Sequence, residues 1–156
     1  MSRIHIETAA EVNAPADEVY ALLADYRNGH PLVVPRDNFS DLKVEEGGVG
    51  AGTIVSFSVK AGGNTHNYRV MVSEPQPGRV LVESDTLSTE VTTFTVTPLN
   101  DNRSTVKITT DMDASPGIRG FFEMMIAPRI LKSMYDKELK QINDVAVQRH
   151  APDTKL

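Results

Sequence analysis

The feature that most constrains this chain is a stretch from about residue 40 to 113 in which apolar and polar side chains alternate. Successive side chains on a strand point to opposite faces, so this period of two reads as half-buried β-structure. In TIVSFSVK, Val55, Phe57 and Val59 share a face. His66, Tyr68, Val70 and Val72 share the next. RVLVES follows, with an open register, because Val80 and Val82 compete with Leu81 for the inside. Then Thr92, Phe94 and Val96 align, as do Val106, Ile108, Thr110 and Met112. The breaks are short turn sequences: GGVGAG, AGGN, PQPG and NDN. Strands joined by such short turns pair as an antiparallel meander.

The flanks add one strand and the helices. Ile4, Ile6, Thr8, Ala10 and Val12 form one face of a first strand, with His5, Glu7 and Glu11 on the other. NAPADEVYALLADY then reads as a short amphipathic helix with Asn13 as N-cap and Pro15 in the first turn, ended near Gly29, Pro31 and Pro35. At the far end, Ser115-Pro116 reads as the start of a helix whose stripe Leu131, Tyr135, Leu139, Ile142, Ala146 steps by three and four. A straight helix from 116 to 149 would be about 50 Å long, against a domain diameter of roughly 40 Å. Pro128 is expected to relieve this conflict by splitting it into a short helix and a long one.

The expected architecture is α+β. A curved seven-stranded antiparallel sheet wraps a long C-terminal helix, with two short helices after strand 1. The expected domain covers 1–150, with a flexible tail at 151–156. One helix about 10 Å wide cannot fill the concave side of seven strands, so a cavity is expected between them. That geometry points to a ligand.

Composition narrows the chemistry. The chain of 156 residues has no Cys, which excludes disulfides, thiolate metal sites and thiol nucleophiles. The net charge is −5, and neither half is basic, so no nucleic-acid partner is expected. No apolar run suits a membrane span and the N-terminus lacks a signal-peptide core, so the expectation is a cytoplasmic protein without stable membrane insertion, monomeric or weakly dimeric.

The segments APADEVYALLADY, EGGVGAGT, VSEPQPGRVLVES and TTFTVTPLNDNRSTVKITTDM, in this order before a terminal helix, resemble the START superfamily, also called SRPBCC or birch-pollen-allergen-like. The nearest likeness is to its polyketide cyclase/dehydrase-like branch, over roughly residues 3–148. The resemblance implies the helix-grip fold and an apolar cavity. It implies binding of lipids, sterols, polyketides, quinones or hormones, with cyclisation or dehydration in some members. It also implies that the Gly-rich loop borders the cavity mouth.

Strand alternation assigns a cavity wall of Val55, Phe57, Tyr68, Val70, Thr92, Phe94, Val96, Ile108, Thr110 and Met112, completed by Phe122, Met125 and Met134 of the last helix. Aliphatic, aromatic and Met side chains with sparse hydroxyls suit an apolar ligand carrying few polar groups. His66, Tyr68 and Thr110 are the catalytic candidates, because an imidazole and a phenol can orient a carbonyl or exchange protons. His30, Gly48 and Gly50 are placed at the entrance. Arg69 and Glu83 are read as facing outward. Asp111 and Asp113 share the solvated face with Lys107. The Gly run lacks the Gly-Lys-Ser/Thr of a phosphate loop, and the four His have no ligand spacing, so no nucleotide, metal or other cofactor is expected.

Three functions remain at this stage. The first is binding or transport of a small hydrophobic lipid-, polyketide- or quinone-like ligand. The second is a polyketide cyclase or dehydratase using polar cavity groups. The third is a protein-interaction module.

Overall fold

A computed structural model describes residues 2–151, so the predicted tail lies, apart from Ala151, outside the described residues. β1 (Arg3–Val12) leads into α1 (Ala16–Ala24) and α2 (His30–Val33). Six strands follow: β2 (Phe39–Glu46), β3 (Ile54–Ala61), β4 (Asn64–Gln76), β5 (Val80–Asp85), β6 (Val91–Asn100) and β7 (Arg103–Asp113). The chain then enters α3 (Ile118–His150).

All seven strands form one antiparallel sheet in the order β1-β7-β6-β5-β4-β3-β2. The meander runs back across the sheet, and β1 pairs with the last strand, Ile4 opposite Met112 and Val12 opposite Ser104. This is the helix-grip arrangement. The β3–β4 hairpin turns on Gly62 and Gly63, both at positive φ, as a two-residue hairpin of the primed type requires.

The period of two holds where it was strongest. Along β7, Ser104, Val106, Ile108 and Thr110 are buried while their neighbours are not. Strand β5 resolves its open register in favour of Leu81, which is fully buried, with Glu83 beside it on the inner face. Glu83 therefore faces inward, against the sequence expectation. A hydrogen bond from Tyr26 gives its carboxylate a partner inside, which removes the usual obstacle to burying it.

Three helix details also differ from expectation. Pro15, not Asn13, is the N-cap of α1, and the backbone of Asn13 instead donates to Asn143 of α3. Gly117, not Ser115, caps α3; the amide and hydroxyl of Ser115 donate to the carboxylate of Glu123 in the second turn of α3. Finally, α3 is continuous through Pro128. The size conflict is met by exposure rather than by a break. From Ile118 to Ser133 only Gly120 is buried, whereas Met134, Tyr135, Glu138, Leu139, Ile142 and Ala146 are buried further on. The first half of the helix is not sunk in the core, so the domain need not span its whole length. Among the described residues no helix is long and apolar enough to cross a membrane.

Candidate functional site

Two adjoining spaces lie between the sheet and α3. The inner chamber, about 50 Å³, is walled by the apolar side chains of Val34, Leu42, Val55, Phe57, Phe94 and Met134, among others. Polar groups intrude on it from every side: Tyr26, His30, Tyr68, Glu83, Glu90, Thr92, Tyr135 and Glu138. The outer groove, about 580 Å³, runs between the first half of α3, the β3–β4 hairpin and the segment before β6. Ile4, Val59, Met112, Phe122, Ile126 and Ile130 make it mainly apolar, and Asp113, Arg119 and Glu123 sit at its rim. Val59, Tyr68, Glu90 and Leu131 line both spaces and form the neck between them.

The sizes decide what each space can take. A site for one water needs about 10–15 Å³ on this scale, so the inner chamber has room for roughly three or four waters. The outer groove falls in the range of about 300–1,000 Å³ usual for small-molecule sites.

The inner polar groups come from α2, β4, β5, β6 and α3 and from two connecting segments, the turn after α1 and the residues before β6. Tyr26, in the turn after α1, donates its hydroxyl to Glu83 at 2.6 Å and stacks on His30 at 4.7 Å between ring centres. His30 opens α2 and packs edge-on against Phe94. Its Nδ1 lies 2.8 Å from the carbonyl of Leu23. A carbonyl can only accept, so this nitrogen carries the hydrogen and Nε2 faces Glu83, 3.7 Å away. Tyr135 of α3 joins Thr110, which joins Thr92 at 2.8 Å. At the neck, Tyr68 donates to Glu90 at 3.3 Å and stacks on Phe57. Glu138 of α3 is buried, and its Oε2 has no hydrogen-bond partner.

This burial shifts the acids upward. Burial holds the Glu138 carboxyl well above the usual carboxylate range, and the charge of Glu83 adds to the effect. Burial also raises Glu90, to about 7, against a lowering by the Tyr68 hydrogen bond and with a further rise from Asp85 and Glu83. The phenols of Tyr26, Tyr68 and Tyr135 all rise above their ordinary value, desolvation first, so each is a hydrogen-bond donor at neutral pH. The neck thus holds a carboxyl able to gain or lose a proton near neutrality, beside a phenol that stays protonated.

The family model for polyketide cyclase/dehydrase and lipid transport matches residues 3–147. The chain belongs to this family. Among solved structures it is similar to the KanY protein, at 26% identity and a TM-score of 0.81, over 94% of this chain and 99% of that one. The Zhui aromatase/cyclase from Streptomyces sp. R1128 shares the fold at 17% identity and a TM-score of 0.77, over 99% and 100%. So does norcoclaurine synthase from Thalictrum flavum, at 17% and 0.74, over 96% and 98%. No curated protein matches the sequence.

Within this family fold, the residues assigned from sequence separate into three groups. Val55, Phe57, Tyr68, Thr92, Phe94 and Met134 line the inner chamber. Tyr68, His66, Met112 and Phe122 line the outer groove. Val70, Val96, Ile108 and Thr110 are buried in the core and line neither, and the Thr110 hydroxyl is taken up by Thr92 and Tyr135. Met125 lies 57% exposed on the solvent side of α3 and lines neither space.

The entrance residues are placed differently from expectation. His30 is 4% exposed and belongs to the inner chamber, because α2 folds it back under α1. Gly48 and Gly50 are tied to α1: Tyr26 N–H donates to Gly48 O, and Gly50 N–H to Ala24 O. Glu74 holds the same loop, accepting from the Ala51 amide at 2.7 Å and from the Tyr20 hydroxyl at 2.6 Å. A Cβ at Gly50 would sit 2.3 Å from Glu74 Oε1, so glycine permits this close approach. The loop is a clamp, and it lines neither space. Asp111 pairs with His5 on the outer face, as its alternation implied, while Asp113 pairs with Arg3 at the rim of the outer groove.

Sequence reasoning missed the acids. Glu138 left a signal, because it lies three residues after Tyr135 and four before Ile142, inside the apolar stripe. Glu83 had a weaker one, sharing its strand face with Leu81. Among the described residues no cluster of His or acidic side chains has the arrangement of a metal site.

Proposed function

We propose that this protein binds a small, mainly apolar molecule in the outer groove, with its polar end turned through the neck toward Tyr68 and Glu90. The observation that carries this reading is the junction itself. A groove of about 580 Å³ with apolar walls abuts a small polar chamber, so an amphiphilic guest finds a matching surface for each end. Membership of a family named for cyclases, dehydrases and lipid transport supports a ligand of this kind.

A second reading, acid–base catalysis of a cyclase or dehydratase type, is favoured by Glu90. A carboxyl raised to about 7 beside a phenol held protonated is suited to proton transfer at a carbonyl or hydroxyl at the neck. Tyr68 belongs to the original catalytic candidates. Thr110 is fully committed within the core, and His66 stands in the groove rather than in the chamber. The protein-interaction reading asked for an exposed apolar patch over a closed interior. Phe121, Met124 and Met125 supply the patch, but the groove leaves the interior approachable.

The test is a fluorescent apolar probe titrated into the wild-type protein and into Ile126→Trp, which fills the groove from α3. Binding lost in the variant supports the reading. Binding unchanged in a folded variant refutes the groove as the site.

A further inference from the structure

Glu138 presents the least explained polar group in the molecule. Its Oε2 is buried without a partner, although the side chain lines the inner chamber. Glu83 and Glu90 line the same chamber, and among the described residues no Lys or Arg does. A buried acid normally finds a cation or a hydrogen-bond donor. Tyr26 supplies one to Glu83 and Tyr68 one to Glu90, but Glu138 Oε2 has none. The missing partner must fit a space of about 50 Å³, room for roughly three or four waters, which admits an ammonium head and excludes a ring.

We propose that the ligand carries a protonated primary amine, which the inner chamber takes between Glu138 and Glu83 while its apolar body lies in the outer groove. This deepens the binding reading above and rests on it. The path runs through the neck, where Val59, Tyr68, Glu90 and Leu131 line both spaces. Selectivity follows from the walls: an alcohol of the same shape fits equally well but brings no charge to the acids.

The proton balance is fixed by the groups facing Glu138. These are Glu83 from β5, Tyr26 from the turn after α1, His30 from α2, Tyr135 from α3 itself and Glu90 ahead of β6. Burial and the charge of Glu83 raise the Glu138 carboxyl well above its ordinary value and so favour its protonated form. An ammonium beside it favours the carboxylate. As the cation enters, the O–H bond of Glu138 breaks and its proton leaves to solvent, so the chamber's net charge is unchanged. No other bond is made or broken.

The experiment is calorimetric titration of the full chain with n-hexylamine and with 1-hexanol at neutral pH, each in phosphate and in HEPES, buffers without a primary amine. The amine should bind at least roughly tenfold more tightly than the alcohol and release about one proton, which the buffer dependence of the heat counts. The alcohol should release none. Glu138→Gln should still bind the alcohol but lose both the amine preference and the proton release. The inference is overturned if the alcohol binds as tightly as the amine, or if the variant keeps the preference. Alcohol binding without amine preference rejects this inference alone and leaves the groove reading standing. Failure of both probes rejects the two together. Glu90→Gln removes the other carboxyl that titrates near neutrality, and it should keep both the amine preference and the proton release; loss of the proton release in this variant overturns the inference even if Glu138→Gln does not fold.

Discussion

The two halves of α3 share one backbone and have opposite surroundings. After Ser133 the helix lies in the grip of the sheet, with Leu139 and Ile142 almost wholly buried. Before it, Ile118, Phe121, Phe122, Met124, Met125 and Ile126 are each more than 40% exposed. Yet the exposed half is the more apolar of the two by sequence, and the buried half carries Glu138. The inversion shows that burial here follows geometry rather than hydrophobicity. The sheet is curved enough to close on the last half of the helix only. Where the helix leaves the sheet a groove opens, and apolar side chains such as Phe122, Ile126 and Ile130 become its wall. Where the helix is gripped, a misplaced acid becomes the polar end of the chamber.

The largest test of this contrast is in the buried half. Leu139→Ala should cost about 2–5 kcal/mol in urea unfolding, because a fully packed leucine leaves a cavity. A loss under about 1 kcal/mol would mean that the grip is looser than described.

The next effect comes from the neck. Glu90 has a raised folded-state pKa, so its contribution to stability is complete below its ordinary value near 4.5 and is lost as pH rises toward about 7. Stability should therefore fall across that window by on the order of 2 kcal/mol, allowing for the partial exposure of the side chain. Glu90→Gln should lessen this fall, leaving the part that Glu138 contributes, as read by denaturation midpoints between pH 4 and 8. The same slope in both proteins would remove Glu90 from the account.

The smallest effect belongs to the exposed half. Met125→Gln should change stability by less than about 0.5 kcal/mol, since the side chain is more than half exposed and lines neither space. A larger loss would show that this face is covered by something in solution.

The sequence made the fold legible for a definite reason. Alternation in β3, β4, β6 and β7 couples each residue to its neighbours, so one misread position cannot flip a strand. The end of α3 was readable from its three-and-four stripe. The candidate site depended instead on single residues that break those patterns. Glu83 sits where Val80 and Val82 offered an equally good face, and only the tertiary hydrogen bond from Tyr26 decides between them. His30 precedes a proline and read as a loop, while its burial depends on stacking with Tyr26 and on the carbonyl of Leu23. Pro128 costs about 3 kcal/mol within a helix relative to alanine, yet α3 continues through it. Local sequence carries the penalty but not the long-range packing of Met134 to Ala146 that holds the rest of the helix in place.

The central claim is that ligands enter where α3 leaves the sheet and that their polar end reaches the neck. Side-chain NMR during titration with n-hexylamine tests it most directly. The account predicts that shifts concentrate on Ile126, Ile130, Leu131, Met112 and the Tyr68 ring, with Phe121 and Met125 unmoved. Shifts confined to Phe121, Met124 and Met125, or to the Gly-rich loop around Gly48 and Gly50, would contradict it.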